Sequence, residues 1–108
     1  MEDDYLQPDF YHFDEDSITL SKFIANELQK KIPNRPNRFL EIGAGCGVIS
    51  LELSRFFPEG DFDLIEIQES FKEIALHNIR KFAHNEKKFH YKVMDFLDAE
   101  FFVDFILS

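Results

Sequence analysis

Three places in this chain carry residue types that could do chemistry together. The first is Glu41-Ile42-Gly43-Ala44-Gly45-Cys46-Gly47, the second is Glu66, and the third is Asp95. Glycine serves a ligand loop because a missing Cβ lets the backbone turn tightly and approach the bound group. The glycine spacing separates two chemistries. A dinucleotide fingerprint, G-x-G-x-x-G, would need a glycine at 48, and Val48 stands there. The observed G-x-G-x-G, with an acid two residues ahead of it, suits an adenosyl ligand with a cationic sulfonium and ammonium and no pyrophosphate. Glu41 is then a favourable charge near the loop. By itself the loop also reads as a tight strand–helix turn. Glu66 adds a carboxylate able to accept both hydroxyls of a ribose, and Asp95 one able to accept from an adenine amino group, although alone Asp95 reads as a turn residue. Met94 and Phe96 would lend apolar faces beside the base.

These residues need elements that bring them to one edge. Leu20, Phe23, Ile24, Leu28 and Ile32 predict an amphipathic helix over 17–32, with Asp16 as N-cap and Pro33 and Pro36 as the stop. Residues 38–42 read as a first strand running into the glycine loop. Val48, Ile49, Leu51, Leu53, Phe56 and Phe57 predict a helix ending at Pro58-Glu59-Gly60. Residues 62–67 read as a second strand closed by Glu66. Ser70-Phe71-Lys72-Glu73 matches a capping box, and Phe71, Ile74, Ala75, Ile79 and Phe82 form the stripe of the helix after it. Residues 89–94 and 103–107 read as third and fourth strands. Strands alternating with helices imply βαβ units and a parallel sheet, whose ligands bind at the carboxyl ends of the strands. The expected strand order is 3-2-1-4. The segment 95–102 must cross two strands, about 14 Å at ~4.8 Å per strand, which eight residues can reach.

Leu40-Glu41-Ile42-Gly43-Ala44-Gly45-Cys46-Gly47 resembles motif I of the class I S-adenosylmethionine-dependent methyltransferases. Glu66-Ile67-Gln68-Glu69, followed by Ala75-x-x-Asn78, resembles the second motif of a narrower bacterial group that N6-methylates adenine in the anticodon loop of a valine tRNA. Gln7, Tyr11, Phe13, Asp16 and Ser17 are similar to that group's N-terminal segment, which helps close the cofactor pocket. Asp104-Phe105-Ile106-Leu107-Ser108 resembles the strand leading into its catalytic Asn-Pro-Pro-Tyr. The resemblance implies an α/β chain that is the N-terminal half of a Rossmann-like class I methyltransferase fold, with S-adenosyl-L-methionine as cofactor. Residues 1–16 would be an acidic leader and pocket-closing segment, and residues 17–108 the cofactor-binding half-domain. Phe13, Glu41, Gly43, Ala44, Gly45, Gly47, Glu66, Ile67, Asp95 and Phe96 would line the cofactor site. The implied activity is N-methylation of adenine in RNA, with tRNA as the partner of the later half. The alternatives are an N-methyltransferase acting on protein (glutamine) or another substrate, and a non-catalytic adenosyl-ligand module. On this reading the 108-residue chain alone stops before the catalytic motif, is inactive as a transferase, and leaves its fourth strand an association-prone edge.

Composition bounds the remaining classes. The 108 residues hold 21 acidic and 12 basic side chains, a net charge of −9. Seven of the acids fall in residues 1–16, which have no Lys or Arg, leaving the other 92 residues at −2. That is an acidic head on a near-neutral body, and it neither supports nor excludes nucleic-acid binding. One Cys excludes a disulfide scaffold or a multi-Cys metal site. Cys46 reads as a small residue tolerated in a crowded loop, although a helix N-terminus can activate a thiol. His12, His77, His84 and His90 lack metal-ligand spacing, and no apolar run reaches the roughly 18 residues of a membrane span. The expectation is a cytoplasmic domain with no metal and no membrane partner.

Overall fold

Side chains alternate across a strand, so every second residue faces the same way. In the computed structural model, which describes residues 5–7, 15–31, 37–98 and 105–107, the strands pair in parallel. They are β1 (Arg38–Ile42), β2 (Asp61–Glu66), β3 (Phe89–Val93) and β4 (Phe105–Leu107), in the spatial order β3-β2-β1-β4. The register places Phe89, Phe62, Phe39 and Phe105 in one row across all four strands. The rings of Phe39 and Phe62 stack at 4.8 Å and those of Phe62 and Phe89 at 5.1 Å, each pair only 9° from parallel. Phe57 closes on Phe39 at 5.3 Å. Phe39, Phe62 and Phe89 thus form a cross-strand aromatic ladder.

The three helices α1 (Glu15–Lys31), α2 (Val48–Ser54) and α3 (Lys72–Phe82) join that ladder in one core. Ala25, Leu51, Leu53 and Ile79 pack with Phe39, Phe62, Leu64 and Phe89, which share one face of the sheet. The other face carries Leu40 and Ile65, both buried, and an ion pair between Arg38 and buried Asp63 at 3.1 Å. No helix among the described residues is long and apolar enough to cross a membrane.

Local signals place the elements well and some of their ends poorly. Helix α1 begins at Glu15, which puts Asp16 inside the first turn instead of at the N-cap. An acid there still favours the helix dipole. Phe23 belongs to the expected apolar stripe, yet it is 61% exposed, while Ala25 is fully buried and Ile24 and Leu28 flank it. A methyl side chain lets the helix approach its neighbours where a benzyl group could not. The capping box at Ser70 does not form. Residues Glu69–Phe71 make a 3-10 turn, α3 starts at Lys72, and Phe71 at its N-cap position makes no side-chain cap. Ser70 is consumed by that turn, whose entry is set instead by Glu66 Oε2 accepting the Gln68 N–H at 2.9 Å. Strand β2 ends at Glu66, so Ile67 lies just beyond it. Residues 103 and 104, expected in the fourth strand, and Ile32, Pro33 and Pro36 lie outside the described residues.

The ladder makes a direct prediction. Phe62→Ala should cost about 3–5 kcal/mol, the range for large-to-small changes at a packed aromatic site. Phe23→Ala should stay within about 0.5 kcal/mol, as exposed substitutions do. Urea titration followed by far-ultraviolet circular dichroism measures both, and equal midpoints for the two variants would contradict the ladder's role.

Candidate functional site at the carboxyl edge of the sheet

Three glycines in five residues take left-handed backbone conformations, with φ of +72° at Gly43, +54° at Gly45 and +82° at Gly47. Any L side chain there would cost about 1–2 kcal/mol, which explains the G-x-G-x-G pattern without reference to a ligand. The loop is tied down residue by residue. The N–H groups of Gly43 and Ala44 both donate to the Ile65 carbonyl, at 2.9 and 3.0 Å, and Gly47 donates to the Ala44 carbonyl at 2.9 Å. Gly45 donates to Glu66 Oε1 at 2.9 Å, while its carbonyl accepts the Tyr91 hydroxyl at 2.8 Å. The Cys46 carbonyl accepts from Asn78 Nδ2 at 3.1 Å. β1, β2, β3 and α3 therefore all reach this one turn.

Two buried carboxylates hold it. Glu66, 7% exposed at the end of β2, bridges the glycine loop and the entry to α3 through its two oxygens. Glu41, 3% exposed on β1, accepts both the Ser50 N–H at 3.2 Å and the Ser50 hydroxyl at 2.6 Å. Gly47, at the N-cap of α2, has no side chain to satisfy the helix's first donors. Glu41 supplies that acceptor from the neighbouring strand. Burial raises the Glu41 pKa to about 7, against the lowering effect of the two Ser50 hydrogen bonds and with a smaller contribution from Glu66. The Cys46 thiol is also buried, and desolvation followed by Glu66 pushes it up to about 11, which opposes an activated nucleophile.

The other expected residues fall around this edge. Ala44 is buried in the core, and Ile67, beside Glu66, is 66% exposed. Asp95 follows β3, where its Oδ1 accepts the Leu97 N–H at 3.0 Å in a local turn. The Met94 N–H donates to the Glu66 carbonyl at 3.0 Å, which brings the end of β3 against the end of β2. Phe96 opens the 3-10 turn Phe96–Asp98. Phe13 and Tyr11 lie outside the described residues. Among the described residues no group of His, Cys, Asp and Glu could hold a metal ion.

Sequence reasoning did not single out Tyr91. Register aligns it with Leu64 and Glu41 across the sheet, so it faces the loop, and burial followed by Glu66 raises its hydroxyl pKa. Only the strand pairing reveals this. Asn78 stood in a motif without a role, and the structure buries it completely against the loop.

This edge fits an adenosyl cofactor by its own geometry. Apart from Gly43 and its chain neighbours, nothing lies within 4 Å of where a Cβ of Gly43 would be, so the backbone there is open to a ligand. Each oxygen of Glu66 uses one backbone donor and retains capacity for another. Exposed Ile67 offers an apolar surface next to it.

The buried Glu41 predicts a pH dependence with a definite sign. Between its ordinary 4.5 and about 7, the folded chain binds more protons at Glu41 than the unfolded chain does. Its contribution to stability is therefore complete below about 4.5, declines as pH rises and is lost above about 7, an effect on the order of 3 kcal/mol. Urea midpoints of wild type should fall between pH 5 and pH 7.5 by more than those of Glu41→Gln. Parallel pH profiles for the two proteins would contradict the assignment.

The comparisons with known proteins agree on one class. The sequence profile of the family described as lysine methyltransferase matches residues 12–107. The chain is 39% identical over 56 residues to the ribosomal RNA small subunit methyltransferase G of Streptococcus equi subsp. zooepidemicus, a match covering 49% of this chain and 24% of that one. It thus spans about a quarter of the length of the curated relatives it matches. Its fold is similar to coclaurine N-methyltransferase bound to N-methylheliamine and SAH, with a TM-score of 0.63 at 21% identity over 90% of this chain and 27% of that one. It is likewise similar to a precorrin-6y C5,15-methyltransferase from Geobacter metallireducens, with a TM-score of 0.64 at 16% identity over 86% and 46%. A candidate RNA methyltransferase from Pyrococcus horikoshii gives 0.68 at 18% over 89% and 45%. With its profile match across nearly the whole sequence and its Rossmann-like sheet, the chain belongs to the lysine methyltransferase family of class I methyltransferases, whose cofactor is S-adenosyl-L-methionine.

Proposed function

We propose that this chain is the cofactor-binding part of an N-methyltransferase, with S-adenosyl-L-methionine held at the carboxyl ends of β1, β2 and β3. One observation carries the reading: the Gly45–Glu66 hydrogen bond joins the glycine loop to the end of β2, and the Met94–Glu66 bond brings the end of β3 alongside. Glu66 would accept from the ribose hydroxyls, Gly43, Gly45 and Gly47 would let the ligand approach the backbone, and Asp95 would accept from the adenine amino group. Ile67 and Phe96 would flank the base, Phe13 would cover the site from the 1–16 segment, and Ala44 would support the loop from the core. Glu41 would act through Ser50 on the start of α2, and a cationic ligand nearby would favour its ionised form. The bound cofactor supplies an electrophilic methyl group on sulfur, and this part of the chain positions it.

For the acceptor, adenine in RNA, with tRNA as the substrate of a cytoplasmic protein, is supported by the motifs Glu66-Ile67-Gln68-Glu69 and Ala75-x-x-Asn78. RNA as the acceptor class is also supported by the rRNA methyltransferase among the relatives. A lysine side chain is the second reading, favoured by the family description over residues 12–107. Methyl-labelled cofactor, offered with bulk tRNA, rRNA and cell protein to the whole enzyme of which this chain is the cofactor-binding part, separates them. Label in RNA adenine supports the first reading, label in protein lysine the second, and no label in either removes both.

Glu66→Ala should weaken S-adenosylhomocysteine binding at least tenfold, since a charged acceptor contributes about 1.5–3 kcal/mol. Isothermal titration calorimetry reads this directly. An unchanged affinity would take Glu66 out of the site.

A further inference from the structure

Asn78 lies in the middle of α3, fully buried, and its amide does three things at once. Its Oδ1 accepts the Leu6 N–H at 2.8 Å, while its Nδ2 donates to the Leu6 carbonyl at 3.0 Å and to the Cys46 carbonyl at 3.1 Å. The first two bonds pair one side-chain amide with both backbone polar groups of Leu6, as a neighbouring strand would. The third reaches the glycine loop. Tyr5 strengthens the link, since its hydroxyl donates to Glu52 Oε1 at 3.0 Å and its ring meets Phe82 at 4.6 Å. Tyr5 also packs on the small cluster of Cys46, Val48 and Phe71 that beds the loop. The Leu6 side chain, by contrast, is 45% exposed and borders an open cleft of about 500 Å³ beside Glu73 and His77. The segment is therefore held through its backbone and through Tyr5.

We propose that Asn78 is a positioning residue that couples docking of the Tyr5–Gln7 segment to the shape of the Gly43–Gly47 loop, so that the segment tunes cofactor affinity from a distance. When Leu6 leaves, the buried amide loses two of its three partners and is free to turn away from the Cys46 carbonyl. The loop then loses a tether that its glycines cannot replace. Coupling of this kind is reciprocal, so a ligand that orders the loop must also hold the segment. The inference rests on the proposed cofactor site only for its effect on affinity, and the link between segment and loop stands apart from it.

Leu6→Pro is the decisive variant, because it deletes the N–H that Asn78 accepts at an exposed side-chain position. Leu6→Ala keeps that N–H and serves as the control. Hydrogen exchange of the ligand-free chain should show the Gly45 and Gly47 amides exchanging faster in Leu6→Pro and unchanged in Leu6→Ala. Calorimetry should show S-adenosylhomocysteine binding weakened roughly five- to tenfold in Leu6→Pro, within the range of coupling between linked sites. Saturating S-adenosylhomocysteine should slow exchange of the Leu6 amide in wild type. Loop exchange unaffected by Leu6→Pro would overturn the coupling, as would Leu6 exchange indifferent to bound ligand. Faster loop exchange in Leu6→Pro, with no binding to wild type, would keep the coupling and overturn the cofactor reading.

Discussion

A turn built from three left-handed glycines has almost no side chains with which to hold its own shape. Acceptors and donors brought from other elements must do so, and the Glu66 carboxylate is the central one. It takes the Gly45 N–H with one oxygen and the Gln68 N–H with the other, fixing the loop after β1 and the turn before α3 to the same strand end. A carboxylate buried to this degree is favourable only while it is hydrogen-bonded. The requirement runs both ways, because the loop needs the acceptor and the acceptor needs the loop.

The sheet explains why the partners arrive where they do. Phe39, Glu41, Phe62, Leu64, Glu66, Phe89 and Tyr91 alternate onto a single face, in register from strand to strand. Toward the amino ends that face carries the phenylalanine ladder, and toward the carboxyl ends it turns polar. Backbone pairing sets the spacing of the strands, the rings stack across it, and the same register carries Glu41 and Tyr91 into line beneath the loop. Core and site are two ends of one pattern, so a change in the ladder would be felt at the carboxyl edge.

The fold neighbours include N- and C-methyltransferases, whose names specify different acceptors. A fold common to many acceptors says little about where a methyl group goes. The residues described here gather at the carboxyl edge of the sheet.

Much of this could be read from the chain itself. The glycine spacing, the apolar periods and the acid closing the second strand are local features, and local sterics decide them, so the β-α alternation, the loop and Glu66 were legible. The end of α3's approach was not, because a matching Ser-x-x-Glu competes with a 3-10 turn whose entry depends on Glu66, and Glu66 reaches it only across the fold. Phe23 was misread for a related reason, since a helical stripe shows which residues share a side but not which of them a neighbour leaves room for. Tyr91 and Asn78 were beyond reach as partners of the loop. Their bonds to the Gly45 and Cys46 carbonyls join residues 46 and 32 apart in the chain, which only strand register and helix packing bring together. The sequence by itself determined the glycine conformations and the order of the elements, because each follows from the sterics of a few neighbouring residues. The tertiary structure decided which distant donors and acceptors complete the loop, because a hydrogen bond depends on separation in space, and the folded sheet alone sets that.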